Sequence, residues 1–391
     1  MELDILKDIV VIFALSTFVN FIFTKIKVPT IIGYLLTGIV AGPHLLGLVH
    51  GNHEIELMAE IGVILLMFSI GIEYSLNHLM QIRKFVFIGG FVQLILTAAT
   101  ILICSLLLGM DMRSSVYLGF LTALSSTAMV LKILQERGDL SSNYGKTVLG
   151  ILIFQDIIII PLLLLAPIIG GMSIDIGHEV FVLLVKTILI ITMVYVGNKW
   201  LMPRFLRLIA FTKSQELFLM SILVICLSVA LLTSSLGMGL ALGAFLAGLM
   251  ISESEYSHNA FGHLIPFKDT FTSFFFVSIG LLLDLSFVIE NWHMVVFATI
   301  LVLTVKSIIG GGTAFILGHT FRGTVMVGLA ICQVGEFSFI LAKIGLDFGI
   351  LNSYLYQLFL SVTIITMSLS PFIMQIAKPL SDFLLRFNLP T

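Results

Sequence analysis

Runs of about 17 to 25 apolar residues, each closed by polar residues, glycine or proline, follow one another along the whole of this 391-residue chain. About thirteen can be bounded, near 5–24, 28–43, 57–74, 85–109, 115–135, 146–169, 180–198, 215–233, 237–251, 268–285, 292–317, 323–345 and 353–377. A run of that length crosses the hydrocarbon core of a bilayer as one helix. With 59% hydrophobic and 11% charged residues, no soluble fold of this size buries so much apolar surface. The sequence therefore predicts an all-α polytopic membrane protein. The first run follows no basic stretch or cleavage site and reads as a retained helix. Segment 199–213, with Lys199, Arg204, Arg207 and Lys213, is too basic to span and is expected along the interface. Cys104, Cys226 and Cys332 lie inside apolar runs and read as small hydrophobes.

Placing the N-terminus outside puts fifteen Lys and Arg residues in inner loops and the C-terminal tail, and little beyond Arg113 outside. That asymmetry predicts a cytoplasmic C-terminus and an odd number of spans. Short words also recur at nearly one spacing. Gly33–Gly38 in the second run is echoed by Gly243–Gly248 in the ninth, a shift of 210, and Ser69-Ile-Gly71 in the third by Ser278-Ile-Gly280 in the tenth, a shift of 209. Gly119 has a looser partner in Gly328, and Pro161 in Pro371. Partners seven runs apart cross the membrane in opposite directions. The expectation is an inverted repeat of the kind secondary transporters use, helices 1–6 (5–169) against 8–13 (215–377), with 180–213 as linker helix and interfacial segment. The whole of 1–391 then forms a single transmembrane domain.

In that plan the site lies where paired helices are interrupted at mid-membrane. The fifth run carries Ala123-Leu-Ser-Ser-Thr-Ala128, and the matching stretch of the twelfth is Gln333-Val-Gly-Glu-Phe337. Small and polar residues at those depths suit two broken helices that cross closely. Charge deep in the bilayer costs about 2.5–3.5 kcal/mol on insertion scales, so the central ionisable residues Asp156, Lys306 and Glu336 are functional candidates. Lys186 and Glu73 lie nearer the ends, within snorkelling reach. Asp156, with Gln155 beside it and Ser125, Ser126 and Thr127 on the preceding run, is the expected ion-binding and proton-coupling group. Lys306 and Glu336 are supporting charges, with Lys306 expected in an ion pair with Glu336 or Asp156.

A bare carboxylate held away from water is costly, and either a proton or a monovalent cation relieves it. The two compete for the same oxygens, and only the neutralised site crosses the barrier. With Gln155 where a second acid would stand, one K⁺ or Na⁺ on Asp156 exchanges for one proton without net charge movement.

The motifs Gly33-Tyr-Leu-Leu-Thr-Gly-Ile-Val-Ala-Gly-Pro43, Ser125-Ser-Thr-Ala128, Phe154-Gln-Asp156, Leu242–Glu255 and Gln333–Phe337 together resemble the monovalent cation:proton antiporters, in particular the transmembrane domain of the potassium-efflux (Kef-type) branch. The resemblance covers almost the whole chain. It implies crossed, discontinuous fifth and twelfth helices, a core and a dimerisation domain, an elevator-like movement and Asp156 as the ion-binding carboxylate. It also implies a homodimer in the plasma membrane and a lean towards K⁺ over Na⁺. In members with two adjacent acids a lysine matching Lys306 pairs with the first, but Gln155 takes that place here. Members of this branch usually continue into a cytoplasmic nucleotide-binding domain, whereas no C-terminal regulatory domain is expected within 1–391. Regulation that is absent, a separate cytoplasmic regulatory subunit, and a longer natural chain all agree with that. No cofactor and no nucleic acid is expected; membrane lipid is the surrounding partner.

Other classes fit less well. All nine histidines fall at run ends or loops and only one aspartate is deep, which argues against an intramembrane protease and against an enzyme. No Thr-Val-Gly-Tyr-Gly-like filter loop is present, which argues against a cation channel. A Na⁺/H⁺ antiporter of the same fold and a uniporter not coupled to protons are the alternatives.

Overall fold

The computed structural model describes residues 2–26, 28–49, 53–73, 82–171, 185–186, 188–189, 192–236, 240–252 and 254–385. Among them all regular structure is helical: α1 (Glu2–Lys25), α2 (Thr30–Ala41), α3 (His53–Glu73), α4 (Phe85–Leu107), α5 (Met112–Ala123), α6 (Thr127–Glu136), α7 (Asn143–Ile169), α8 (Met202–Ala210), α9 (Gln215–Ser235), α10 (Leu240–Ser252), α11 (Ser257–Leu281), α12 (Leu285–Glu290), α13 (Trp292–Ile316), α14 (Phe321–Ala330), α15 (Phe337–Asp347) and α16 (Ser353–Leu385). Seven stretches among the described residues are long and apolar enough to cross a membrane, and α2, α14 and 243–252 of α10 are shorter apolar helices. Large apolar side chains such as Phe87 and Ile300 lie open on α4 and α13, as a lipid-facing surface requires.

As expected, the fifth and twelfth runs are each two helices, α5 with α6 and α14 with α15, interrupted at their small and polar residues. One departure from the sequence expectation has a clear cause. The tenth run, expected from 268, begins at Ser257, because the polar turn Ser257–His263 is helical and Pro266 is accommodated inside α11. Of the seventh run, 180–198, residues 180–184, 187, 190 and 191 lie outside the described residues.

The chain divides into two compact units. The first comprises Met1–Thr17, Tyr34–Gln81 and Ser173–Leu282. Its centre is α3 packed against α10 and α11, with Ile12, Ala41, Ile55, Phe274 and Val277 buried together. Here the repeated glycine words meet each other. A methyl group added at Gly38 would lie 2.9 Å from the Gly280 Cα, and one added at Gly71 would lie 2.9 Å from the Gly248 Cα. The same additions would strike the carbonyls of Val277 and Phe245. Shifting Gly38 forward by 210 and Gly280 back by 209 turns the first contact into the second. Only hydrogen fits at these points, so the main chains of neighbouring helices touch. Preceding α8, a π-helical turn at Gly197–Leu201 directs the Asn198 amide to the Leu249 carbonyl, at 3.3 Å. The helix α8 buries Met202 and Leu206 and exposes Arg204, Arg207 and Leu208, as an interfacial helix does.

The second unit comprises Phe18–Gly33, Ile82–Met172 and Leu283–Thr391. A π-helical turn, Phe85–Gly89, opens α4. There α4 and α7 approach closely: a methyl group at Gly150 would lie 2.7 Å from the Phe85 Cβ, and one at Gly90 would enter the Phe154 ring, 2.6 Å from Cδ1. This contact brings Gln93 of α4 opposite Gln155 of α7. The 209 spacing returns on the backs of the interrupted helices, where Gly119 rests on the Ala98 carbonyl and Gly328 on that of Ser307. The paired prolines Pro161 and Pro371 both lie inside helices, α7 and α16.

Candidate ion-binding site

A helix that stops inside a membrane leaves its last carbonyls and the next helix's first amides without partners, and no bulk water supplies them. In the second unit the two interruptions, 124–126 and 331–336, supply each other. The Gly335 amide donates to the Leu124 carbonyl (3.2 Å) and the Ser125 hydroxyl to the Ile331 carbonyl (2.9 Å). Flanking them, Ser338 donates to the Leu121 carbonyl (2.8 Å) and Tyr117 to the Leu341 carbonyl (2.6 Å). A methyl group at Gly335 would lie 2.5 Å from the Ser125 carbonyl carbon and oxygen, so the crossing needs glycine there.

Further backbone groups are met by side chains from neighbouring helices. Lys306 of α13 is fully buried, which excludes snorkelling, and its side-chain nitrogen donates to the carbonyls of Thr122 and Leu124, each at 2.7 Å. The Ala123 carbonyl accepts from Gln93 (3.1 Å) and Gln155 (3.2 Å), and the Ser125 amide donates to the Gln155 carbonyl (2.7 Å). At the other interruption the Val334 amide donates to the Thr366 hydroxyl, 3.3 Å away on α16.

Against this frame stands Asp156, half-buried on α7. The Thr127 hydroxyl, at the first residue of α6, lies 2.9 Å and 3.0 Å from its two carboxylate oxygens and donates to them. The amide end of α6 thus starts beside a carboxylate, the favourable sense of the helix dipole. Glu336, buried just ahead of α15, lies within electrostatic range of Asp156. A carboxylate and a hydroxyl oxygen at a helix start, one flank open, form the kind of oxygen set that a hard monovalent cation or a proton takes up.

The structure thus separates the residues that the sequence groups together. Thr127 meets Asp156. Ser125 and Gln155 are turned to the backbone of the interruptions, and Ser126 accepts weakly from the Met129 amide (3.4 Å) in the first turn of α6. Lys306, expected in an ion pair, goes to carbonyls. Gln93, Thr366, Ser338 and Tyr117 escaped the sequence reading. Gln93 carries a usable signal, being the one amide side chain in the apolar span Phe85–Leu107.

A chain that is helical throughout its described residues, with two interrupted helices crossing beside a half-buried acid, has the form of an ion-coupled secondary transporter. The description "sodium/hydrogen exchanger, transmembrane" matches residues 10–376, and the chain belongs to this family of cation:proton antiporters, in its Kef-type branch. It is 30% identical over 382 residues to K(+) efflux antiporter 5 of Arabidopsis thaliana, covering 96% of this chain and 67% of that protein. It is 31% identical to the putative K(+) efflux antiporter KefB of Alkalimonas amylolytica, covering 94% and 56%. The chain thus spans about two thirds or less of the length of these relatives. In fold it is similar to the sodium proton antiporter MjNhaP1 of Methanocaldococcus jannaschii, with a TM-score of 0.65 at 18% identity, covering 96% of this chain and 97% of that one. The protein is a multi-pass membrane protein.

Proposed function

We propose that this chain exchanges a monovalent cation for H⁺ by alternating access, with Asp156 binding cation and proton in turn. The carrying observation is the Thr127 hydroxyl shared between both Asp156 oxygens beside the crossed helices. A proton satisfies the carboxylate in one state. In the other, a cation takes its place with the Thr127 oxygen as a second ligand. Either occupant cancels the charge, so each loaded form moves and the bare carboxylate is held back by its desolvation cost. Gln155 adds no charge, so one cation replaces one proton and the cycle is electroneutral.

K⁺ is favoured over Na⁺ because the relatives that resemble the chain along most of its length are named for K⁺ efflux. The glycine contacts that exchange under a 209 to 210 shift support the inverted repeat. A homodimer in the plasma membrane, N-terminus outside and C-terminus cytoplasmic, completes the proposal, on the resemblance and on the placement of Lys and Arg.

The test is a pH-gradient assay in proteoliposomes. Adding K⁺, and less effectively Na⁺, collapses an imposed gradient, and Asp156→Asn lowers the rate by a factor of about 100 or more. Full exchange by Asp156→Asn overturns the reading. A rate that follows the imposed membrane voltage overturns electroneutrality alone, and cation flux without proton movement favours a uniporter.

A further inference from the structure

Two glutamines, one on α4 and one on α7, share a closed set of hydrogen bonds. Gln93 donates to the Ala123 carbonyl (3.1 Å) and to the Thr97 hydroxyl (3.2 Å), and its carbonyl accepts from the Gln155 amide nitrogen (2.7 Å). Gln155 gives its other amide hydrogen to the Ala123 carbonyl (3.2 Å), and its own carbonyl accepts from the Ser125 amide (2.7 Å). Both side chains are buried. All four amide hydrogens are used, and turning either amide over would set donor against donor, so the network admits one orientation.

That orientation governs how the site is built. Gln155 is the neighbour of Asp156 on α7, yet its carbonyl faces the Ser125 amide. What holds it there is Gln93, which does not bond to Asp156. We infer that Gln93 is a positioning residue for the ion site: by fixing Gln155 as the cap of the interruption, it sets where α5 stops and hence where Thr127 meets Asp156. Without the Gln93 carbonyl, the Gln155 amide loses a buried acceptor and is free to rotate. Ser125 then loses its cap, and Thr127, two residues on, loses its fixed height against the carboxylate. Gln155 on this account serves the cation by shaping the main chain, and the direct oxygen ligands are Asp156 and Thr127.

The experiment is a double-mutant cycle with Gln93→Met and Gln155→Met, since methionine keeps the shape and removes the amide. Its transport arm rests on the exchange activity proposed above. Proteoliposome exchange by Gln93→Met is expected to need about tenfold more cation for half-saturation, with the maximal rate changed less than about twofold. The double variant is expected to be no worse than Gln155→Met alone, as for parts of one unit. Costs that add, or an unchanged half-saturation, overturn the inference. A second arm needs no transport. Amide hydrogen exchange of peptides covering 121–130 is expected to quicken about tenfold in Gln93→Met that elutes as a folded protein, and unchanged protection overturns the inference. If the wild type exchanges no cation, the proposed function fails while the hydrogen-exchange arm still decides the role of Gln93.

Discussion

The interruption at 124–126 and the one at 331–336 occupy matching places in the repeated sequence, and each has a backbone amide capped from the next helix, Ser125 by Gln155 and Val334 by Thr366. Around that shared plan their chemistry diverges. At the first, a buried lysine and two glutamines converge on the carbonyls of Thr122, Ala123 and Leu124, and a threonine meets a carboxylate. At the second, the cap is a single hydroxyl, and the fully buried Gln333 has no side-chain hydrogen bond among the described residues. The geometry of the crossing is common to both interruptions, and the denser polar support stands at the first, where Asp156 is.

That asymmetry can be broken or sharpened by substitution. Gly335→Ala places a methyl group 2.5 Å from the Ser125 backbone, where no flexible side chain can yield. It is expected to part the crossing and cost about 3 kcal/mol or more, seen as loss of folded protein in size-exclusion chromatography and thermal unfolding. A stable, active Gly335→Ala would show that the interruptions do not depend on mutual contact. Lys306→Met removes the donor shared by two carbonyls and is expected to cost about 2 kcal/mol in thermal unfolding. If it abolishes exchange without any loss of stability, the lysine acts on the ion and not on the helix end. Thr366→Val should cost least, about 1 kcal/mol for one neutral bond at the second interruption. Should Thr366→Val prove as costly as Lys306→Met, the two interruptions are equally supported and the contrast fails.

The interruptions and Asp156 are legible in the sequence for separable reasons. Asp156 stands out because a carboxylate inside an apolar run demands an explanation in energy. The interruptions stand out because Ser125, Ser126, Thr127 and Gly335 are small or polar at matched depths. Partner choice was not legible. Lys306 finds the carbonyls of Thr122 and Leu124 across more than 180 residues, and no spacing rule separates that from an ion pair with Glu336. Nor does the pattern of α4 alone reveal which way Gln93 faces, because a π-helical turn at Phe85–Gly89 resets the register of the helix. Hydropathy does not reveal the start of α11 at Ser257, because it marks the apolar part of a helix and not the polar turn that precedes it.

The glycine contacts in the first unit carry a consequence for how such chains drift. Where Gly38 faces Gly280 and Gly71 faces Gly248, neither partner has room to grow, so a change on one side has no compensating change on the other. Pairs of this kind leave no record of exchange among descendants: they persist together or are lost together. Contact maps inferred from correlated substitution would be silent at the points where these helices come nearest, and the closest-packed seam would be the one least visible to that method.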